Sequence, residues 1–131
     1  MEKIIAIAHT LGEAIAASEE MKKLEEAKNI YSQDAELQAK ITEYEADRMA
    51  LGQEFSKDPS EVDQRAIADI RARMDELTAE ITQNVNYIAF SKAQQAVNNI
   101  MQAVNNEIKF CITGERPSEC THDCSTCKGC H

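Results

Sequence analysis

Apolar residues recur at intervals of three and four along most of the chain, the period of an amphipathic α-helix rather than the alternation of a strand. Ile4, Ile7, Leu11, Ala14 and Ile15 fall on one face of a first helix and leave Glu13 off it. Ser18 followed by Glu19 and Glu20 has the form of an N-cap with acids in the first turn. This predicts a kink before the apolar positions resume at Met21, Leu24 and Ile30, with a straight helix through Ser18 as the alternative. The pattern resets near Ser32-Gln33-Asp34. Asp34 can cap a helix whose apolar positions, Leu37, Ile41, Tyr44, Leu51 and Phe55, keep a heptad spacing interrupted at Arg48.

The segment Ser56 to Glu61 carries the strongest turn signal. It predicts Asp58 as a cap, Pro59 as the first helical residue and Glu61 three residues past the cap. Beyond it Ile67, Ile70, Met74, Leu77, Ile81 and Val85 form a second seam, antiparallel to the first because the connection is short. Asn84-Val85-Asn86 then predicts a bend before Ile88, Ala93, Val97, Ile100, Val104 and Ile108 continue the three-four spacing. The expected fold is all-α: an antiparallel helical hairpin or thin helical bundle over residues 1–110, followed by a non-helical cysteine-rich tail over residues 111–131.

Composition supports the helices, since Gly, Pro and aromatic residues are scarce in the first hundred positions and Trp is absent. A chain of 131 residues fits one domain, yet helices this amphipathic enclose little core at that length. A homo-oligomer such as a dimer, or a hetero-oligomer with related chains, is the default expectation. The net charge of -9 argues against tight binding to nucleic acid, and the acidity fits plain solubility first, with a basic partner as the alternative. Met1-Glu2-Lys3 ahead of Ile4 to Ala8 imitates the start of an export signal, but His9, Thr10 and Glu13 interrupt it. No apolar run approaches the ~20 residues that span a membrane, so a soluble, cytoplasmic protein is expected.

Every cysteine lies in the tail: Cys111, Cys120, Cys124, Cys127 and Cys130, with His122 among them and His131 at the end. Thiolates are soft ligands for iron-sulfur clusters and zinc, and short spacings let one loop fold several of them around one centre. A structural zinc site usually separates two C-x2-C knuckles by a dozen residues or more, whereas only Ser125 and Thr126 separate Cys124 from Cys127. The compact run Cys120, Cys124, Cys127, Cys130 therefore points to an iron-sulfur centre, [4Fe-4S], ahead of zinc, with Cys111, His122 and His131 as additional ligands. The same C-x3-C-x2-C spacing occurs in radical S-adenosylmethionine enzymes, but no barrel of strands and helices exists here to carry it. A disulfide framework would leave one of the five thiols unpaired and requires an oxidising compartment. No catalytic constellation is visible: His9 is isolated, Glu43, Glu45 and Asp47 read as a solvated face, and there is no phosphate loop. Asn98, Asn99, Asn105 and Asn106 weaken the last helix and offer polar contacts to a partner.

Several of these segments together resemble the YlbF/YmcA-like family of bacterial cell-fate regulators. The resemblance is carried by Leu11-Gly12-Glu13-Ala14-Ile15 with Ser18-Glu19-Glu20, by Lys28 to Asp34, by the Asp58-Pro59-Ser60 turn and by the long helix from Tyr87 through Ile108. The cysteine-rich end is similar to that of the YlbF-type branch. The resemblance implies a noncatalytic regulatory or adaptor subunit that associates with related proteins in a complex bearing iron-sulfur clusters. It further implies influence on ribonuclease Y-dependent mRNA processing, competence, sporulation and biofilm formation, with the ribonuclease Y complex as a partner. The alternatives that the residues leave open are a zinc-binding thiol redox sensor and a structural helical dimer.

Overall fold

The computed structural model describes residues 1–116. Among these residues there are five α-helices and no strand: α1 (Glu2–Ala16), α2 (Glu19–Gln33), α3 (Ala35–Phe55), α4 (Gln64–Gln83) and α5 (Val85–Thr113). The chain divides into two compact units, Met1–Val97 and Asn98–His131, and α5 runs from the first into the second.

The breaks between helices arise from side chains that compete for backbone N–H groups. Ser18 caps α2, its hydroxyl accepting from the Met21 amide at 3.3 Å and donating to the Ile15 carbonyl at 2.6 Å. The expected break after α1 is therefore present, with Ala17 as the C-cap. Asp34 ends α2 and caps α3, accepting from the Leu37 amide at 3.1 Å. Asn84 does the same between α4 and α5: its side-chain oxygen accepts from the amides of Asn86 at 2.8 Å and Tyr87 at 3.1 Å. A short polar side chain in extended backbone is what an N-cap requires.

One cap differs from expectation. Asp58-Pro59-Ser60-Glu61 forms a tight turn, closed by the Glu61 amide donating to the Asp58 carbonyl at 2.7 Å, but it does not open a helix. The N-cap of α4 is Asp63, which accepts from Arg65 at 3.0 Å and Ala66 at 3.2 Å. Pro59 supplies the fixed φ of a turn's second position, which the same residue would supply at a helix start. The local signal is shared, and Asp63 takes the cap because Glu54 anchors it: the Glu54 carboxylate accepts from the Asp63 amide and from the Lys57 ammonium, both at 2.7 Å.

In the first unit the most extensive helix contact is between α3 and α4, with lesser ones from α2 to α3 and from α1 to α2. Its core is small. Leu37 and Leu77 are fully buried, Ile81 nearly so, and Tyr31, Ile41, Tyr44 and Tyr87 pack around them. Burying each leucine contributes about 1.5–3 kcal/mol. The pairs Asp34–Asn84, Lys40–Glu80 and Glu43–Arg73 run in opposite directions along α3 and α4, which establishes the expected antiparallel hairpin. The seams are shorter than the periodicity predicts. Phe55 stays exposed beneath the Arg71 guanidinium, and Val85 is 73% exposed because α4 has already ended and Val85 opens α5.

In the second unit, α5 ends at Gly114, whose φ of 73° lies in the left-handed region favoured by glycine. Its amide donates to the Phe110 carbonyl at 2.8 Å. Arg116 then lies 4.2 Å from the Phe110 ring centroid and 3.6 Å from Glu107. The helix thus includes Cys111 and stops later than the change of pattern at that residue predicts.

Candidate functional site

Of the predicted metal ligands, only Cys111 lies within the described residues. It is an exposed, free thiol on the last turn of α5. Cys120, Cys124, Cys127, Cys130, His122 and His131 lie outside the described residues. Among the described residues no group of three or more His, Cys, Asp or Glu side chains could hold a metal ion, and no helix is long and apolar enough to cross a membrane.

The helices nevertheless present two features with functional consequence. The first is a bare apolar surface. No residue of α1 is buried; its face shows Ile4 at 67% and Ile7 at 63% exposure, with Leu11 also exposed and Ile15 half-buried. Met1 supplies no side-chain cap to this helix. His9, taken from the sequence as isolated, lies 3.4 Å from Glu13 on the same helix. Beside α1 in the sequence, α2 and the first part of α5 border a groove of about 620 Å³, with Ala27, Ile30, Ala89 and Ala93 among its apolar lining and Glu20, Lys23, Glu26 and Lys92 as its charged residues. Near it Tyr31 of α2 stacks on Phe90 of α5, ring centroids 4.7 Å apart.

The second feature is a polar junction. One oxygen of the Asp34 carboxylate caps α3, while the other accepts from the side-chain amides of Asn86 at 2.9 Å and Asn84 at 3.2 Å. The α2–α3 and α4–α5 breaks are thereby tied to one another. The Leu37 amide, followed by Asn86 and Asn84, holds the Asp34 carboxyl below its ordinary pKa. Along the same hairpin Arg73 grips Glu43 with two bonds, Nε at 2.7 Å and an Nη at 2.9 Å, and reaches Glu76 with its other Nη at 3.1 Å. The guanidinium lowers the Glu43 pKa.

The acidic stretch of α3 is therefore not uniformly a solvated face. Glu45 is exposed and pairs with Arg48 at 3.0 Å. Glu43 is half-buried in the cross-helix ion pair, and one carboxylate oxygen of Asp47 is enclosed without a hydrogen-bond partner among the described residues. A usable signal was present: folding the two helices about the turn near Pro59 sets Asp34 opposite Asn84 and Glu43 opposite Arg73. Single-helix periodicity does not make that comparison.

Comparison with curated proteins and with solved structures found no match. The family model described as control of competence regulator ComK, YlbF/YmcA, matches residues 4–113. The match covers nearly all of α1 and continues to the last residue of α5, and it ends ahead of the clustered cysteines. The chain belongs to the YlbF/YmcA family, a family of regulators of competence.

Proposed function

We propose that this chain is a noncatalytic regulatory subunit of the YlbF type, whose helices bind protein partners and whose cysteine-rich end binds a metal centre. The observation that carries the reading is the bare apolar face of α1 in a member of a regulatory family: an amphipathic helix with no buried residue is built to be covered by something else. Its process is the control of competence, reached through a complex that acts on ribonuclease Y-dependent mRNA processing. The setting is the cytoplasm, where thiols stay reduced.

The metal ligands are Cys120, Cys124, Cys127 and Cys130, with Cys111, His122 and His131 as further donors. Soft thiolates at this density suit [4Fe-4S] ahead of zinc, and the exposed Cys111 thiol on α5 fits the same donor set. A bound cluster would supply a redox-sensitive and oxygen-sensitive centre; the chain's own contribution is to present the thiolates.

Anaerobic purification of the full chain, followed by iron, sulfide and zinc analysis, tests the reading. Expected are a brown protein and loss of its visible absorption in Cys124→Ser and Cys127→Ser. A colourless zinc protein that loses metal as its thiols oxidise would replace this reading by the redox sensor. Failure to bind either metal after reconstitution would remove the metal centre altogether. Copurification with a ribonuclease Y complex tests the helical surface, and strong, salt-sensitive binding of the isolated chain to RNA would contradict the acidic character of that surface.

A further inference from the structure

We infer that the cleft lined by the chain's three tyrosines binds an arginine side chain of a protein partner. This rests on the proposal that the helices bind protein partners, and it names the side chain that one of their surfaces takes.

The tyrosines meet from separate elements. Tyr31 near the end of α2, Tyr44 on α3 and Tyr87 in the first turn of α5 line one cleft of about 320 Å³, and they are all the tyrosines of the chain. Ile41 and Ile81 add apolar lining from the hairpin. The junction at Asp34 fixes two of the aromatic walls. Tyr31 lies three residues before Asp34, and the Tyr87 amide donates to the side-chain oxygen of Asn84, whose own side-chain amide reaches the Asp34 carboxylate. The Tyr31 carbonyl accepts from the Gln38 side-chain amide at 2.9 Å, and its ring is held by the stack on Phe90. Walls set in advance lower the ordering cost of binding.

The polar groups of the cleft are acceptors. Among the described residues Glu45 is the one charged group that lines it, and a carboxylate only accepts. Thr78 and Thr82 already donate their hydroxyl protons to the carbonyls of Met74 at 2.8 Å and Thr78 at 2.7 Å, so toward a ligand they too only accept. The tyrosine hydroxyls take either role. Lys40 and Arg73 lie on the other flank of the α3–α4 seam, engaged with Glu80 and Glu43. Arg48 meets Glu45 at Oε2 in an exposed pair, which leaves Oε1 to a ligand.

The matching ligand is flat, cationic, rich in donors and without acceptors. A guanidinium has all four properties: it stacks on aromatic faces and carries five N–H donors. A quaternary ammonium has no donor for Glu45, Thr78 or Thr82, and the ammonium of lysine is compact and strongly hydrated. The chain's own arginines cover Phe55 and Phe110; among the described residues none covers a tyrosine, so these rings stay open to a guanidinium from outside. The volume is at the small end of the roughly 300–1,000 Å³ of ligand pockets, which suits one side chain. The net charge of -9 favours approach of a basic surface.

Nuclear magnetic resonance of the full chain, isotope-labelled in its tyrosine rings, tests the inference, because every tyrosine signal comes from the cleft. The probe is Nα-acetyl-L-arginine methylamide, titrated through the millimolar range beside its lysine and citrulline counterparts. Citrulline keeps the shape and loses the charge. Expected are saturable shifts of the ring signals with the arginine compound, and binding at least about tenfold weaker for the other two. Tyr44 also packs on the core, so the test variant is Glu45→Gln, at an exposed position. It is expected to raise Kd at least about threefold with unchanged circular dichroism. Absent or unsaturable shifts, or equal binding of the lysine or citrulline compound, overturn the guanidinium. Wild-type affinity in Glu45→Gln overturns the match of donors to acceptors that selects it. Free L-arginine binding far more tightly than the blocked compound overturns the protein side chain as ligand. Each of these results leaves the regulatory reading standing, because copurification tests partner binding whichever side chain carries it.

Discussion

The α3–α4 hairpin and α1 are both amphipathic, and α1 segregates its apolar residues as sharply as α4 does. Among the described residues, the hairpin finds its complement and α1 does not. The hairpin encloses Leu37, Leu77 and Ile81 and adds the Glu43–Arg73 and Lys40–Glu80 pairs across the helices. By contrast, among the described residues α1 has no buried residue, no side-chain N-cap and no ion pair to another helix. Periodicity reports that a face is suited to burial; which surface buries it depends on connection length and on what lies opposite. In this chain the turn at Asp58 to Glu61 returns α4 along α3, whereas the Ser18 cap separates α1 from α2.

The comparison breaks most visibly at the core. Leu77→Ala removes a fully buried side chain from the centre of the hairpin and is expected to destabilise by about 2–5 kcal/mol. Chemical denaturation should show the midpoint falling with little change in slope. A loss near zero would mean that α3 and α4 do not form the cooperative unit.

The second effect comes from the junction. Asp34→Ala frees the Leu37 amide and the two asparagine amides at once, and is expected to lower Tm by several degrees. Asp34→Asn, which can still cap, should do less damage. The carboxylate's folded pKa is lowered, chiefly by the Leu37 amide, so its stabilisation is full above the unfolded value near pH 4 and is lost as pH falls through the folded value. Glu43, held down by Arg73, and Glu54, held down first by Lys57 and then by the Asp63 amide, act in the same direction. Thermal melts from pH 6 to pH 2 should therefore show declining stability below about pH 4, with a shallower decline in Asp34→Asn. An unchanged acid profile would remove Asp34 from the account.

These two sites also show what was legible beforehand. The helices, the breaks at Ser18, Asp34 and Asn84, and the antiparallel pairing follow from local chemistry: a three-four apolar period and short polar side chains that accept backbone hydrogen bonds. The cap at Asp63 was not legible, because Asp58-Pro59 satisfies the same local rule and the choice between them depends on Glu54, nine residues earlier in the chain. Nor was the burial of Glu43, since a carboxylate on a helix face looks alike whether solvent or an arginine from the next helix stands opposite. The metal ligands were read from the spacing of cysteines alone; all but Cys111 lie outside the described residues.

A smaller effect separates the hairpin's ion pairs from its core. Arg73→Ala and Glu43→Ala should each cost little, and a double-mutant cycle should return a favourable coupling that shrinks as salt rises, because both side chains keep part of their solvent contact. The geometry favours a measurable value, since two bonds from one guanidinium fix the carboxylate in place. Zero coupling at low salt would assign the closure of the hairpin to its apolar seam alone.

The smallest expected effect is the most informative about α1. Ile7→Ala removes as many carbons as a core truncation, but from a side chain that the rest of the chain leaves 63% exposed. At dilutions where the protein is monomeric, the substitution should change unfolding free energy by no more than about 0.5 kcal/mol, the range of ordinary surface changes. Any loss there comes mainly from the helix itself, and alanine is the better helix former, so a slight gain is as consistent with the reading as a slight loss. The same variant measured at concentrations where α1 is covered by another chain should lose stability, because binding stabilises only the folded state and truncation weakens that binding. Tm of the wild type should thus rise with protein concentration more steeply than Tm of Ile7→Ala. If Ile7→Ala instead costs several kcal/mol at high dilution, α1 is packed within its own chain in solution, and the contrast between a self-sufficient hairpin and an uncovered helix is lost.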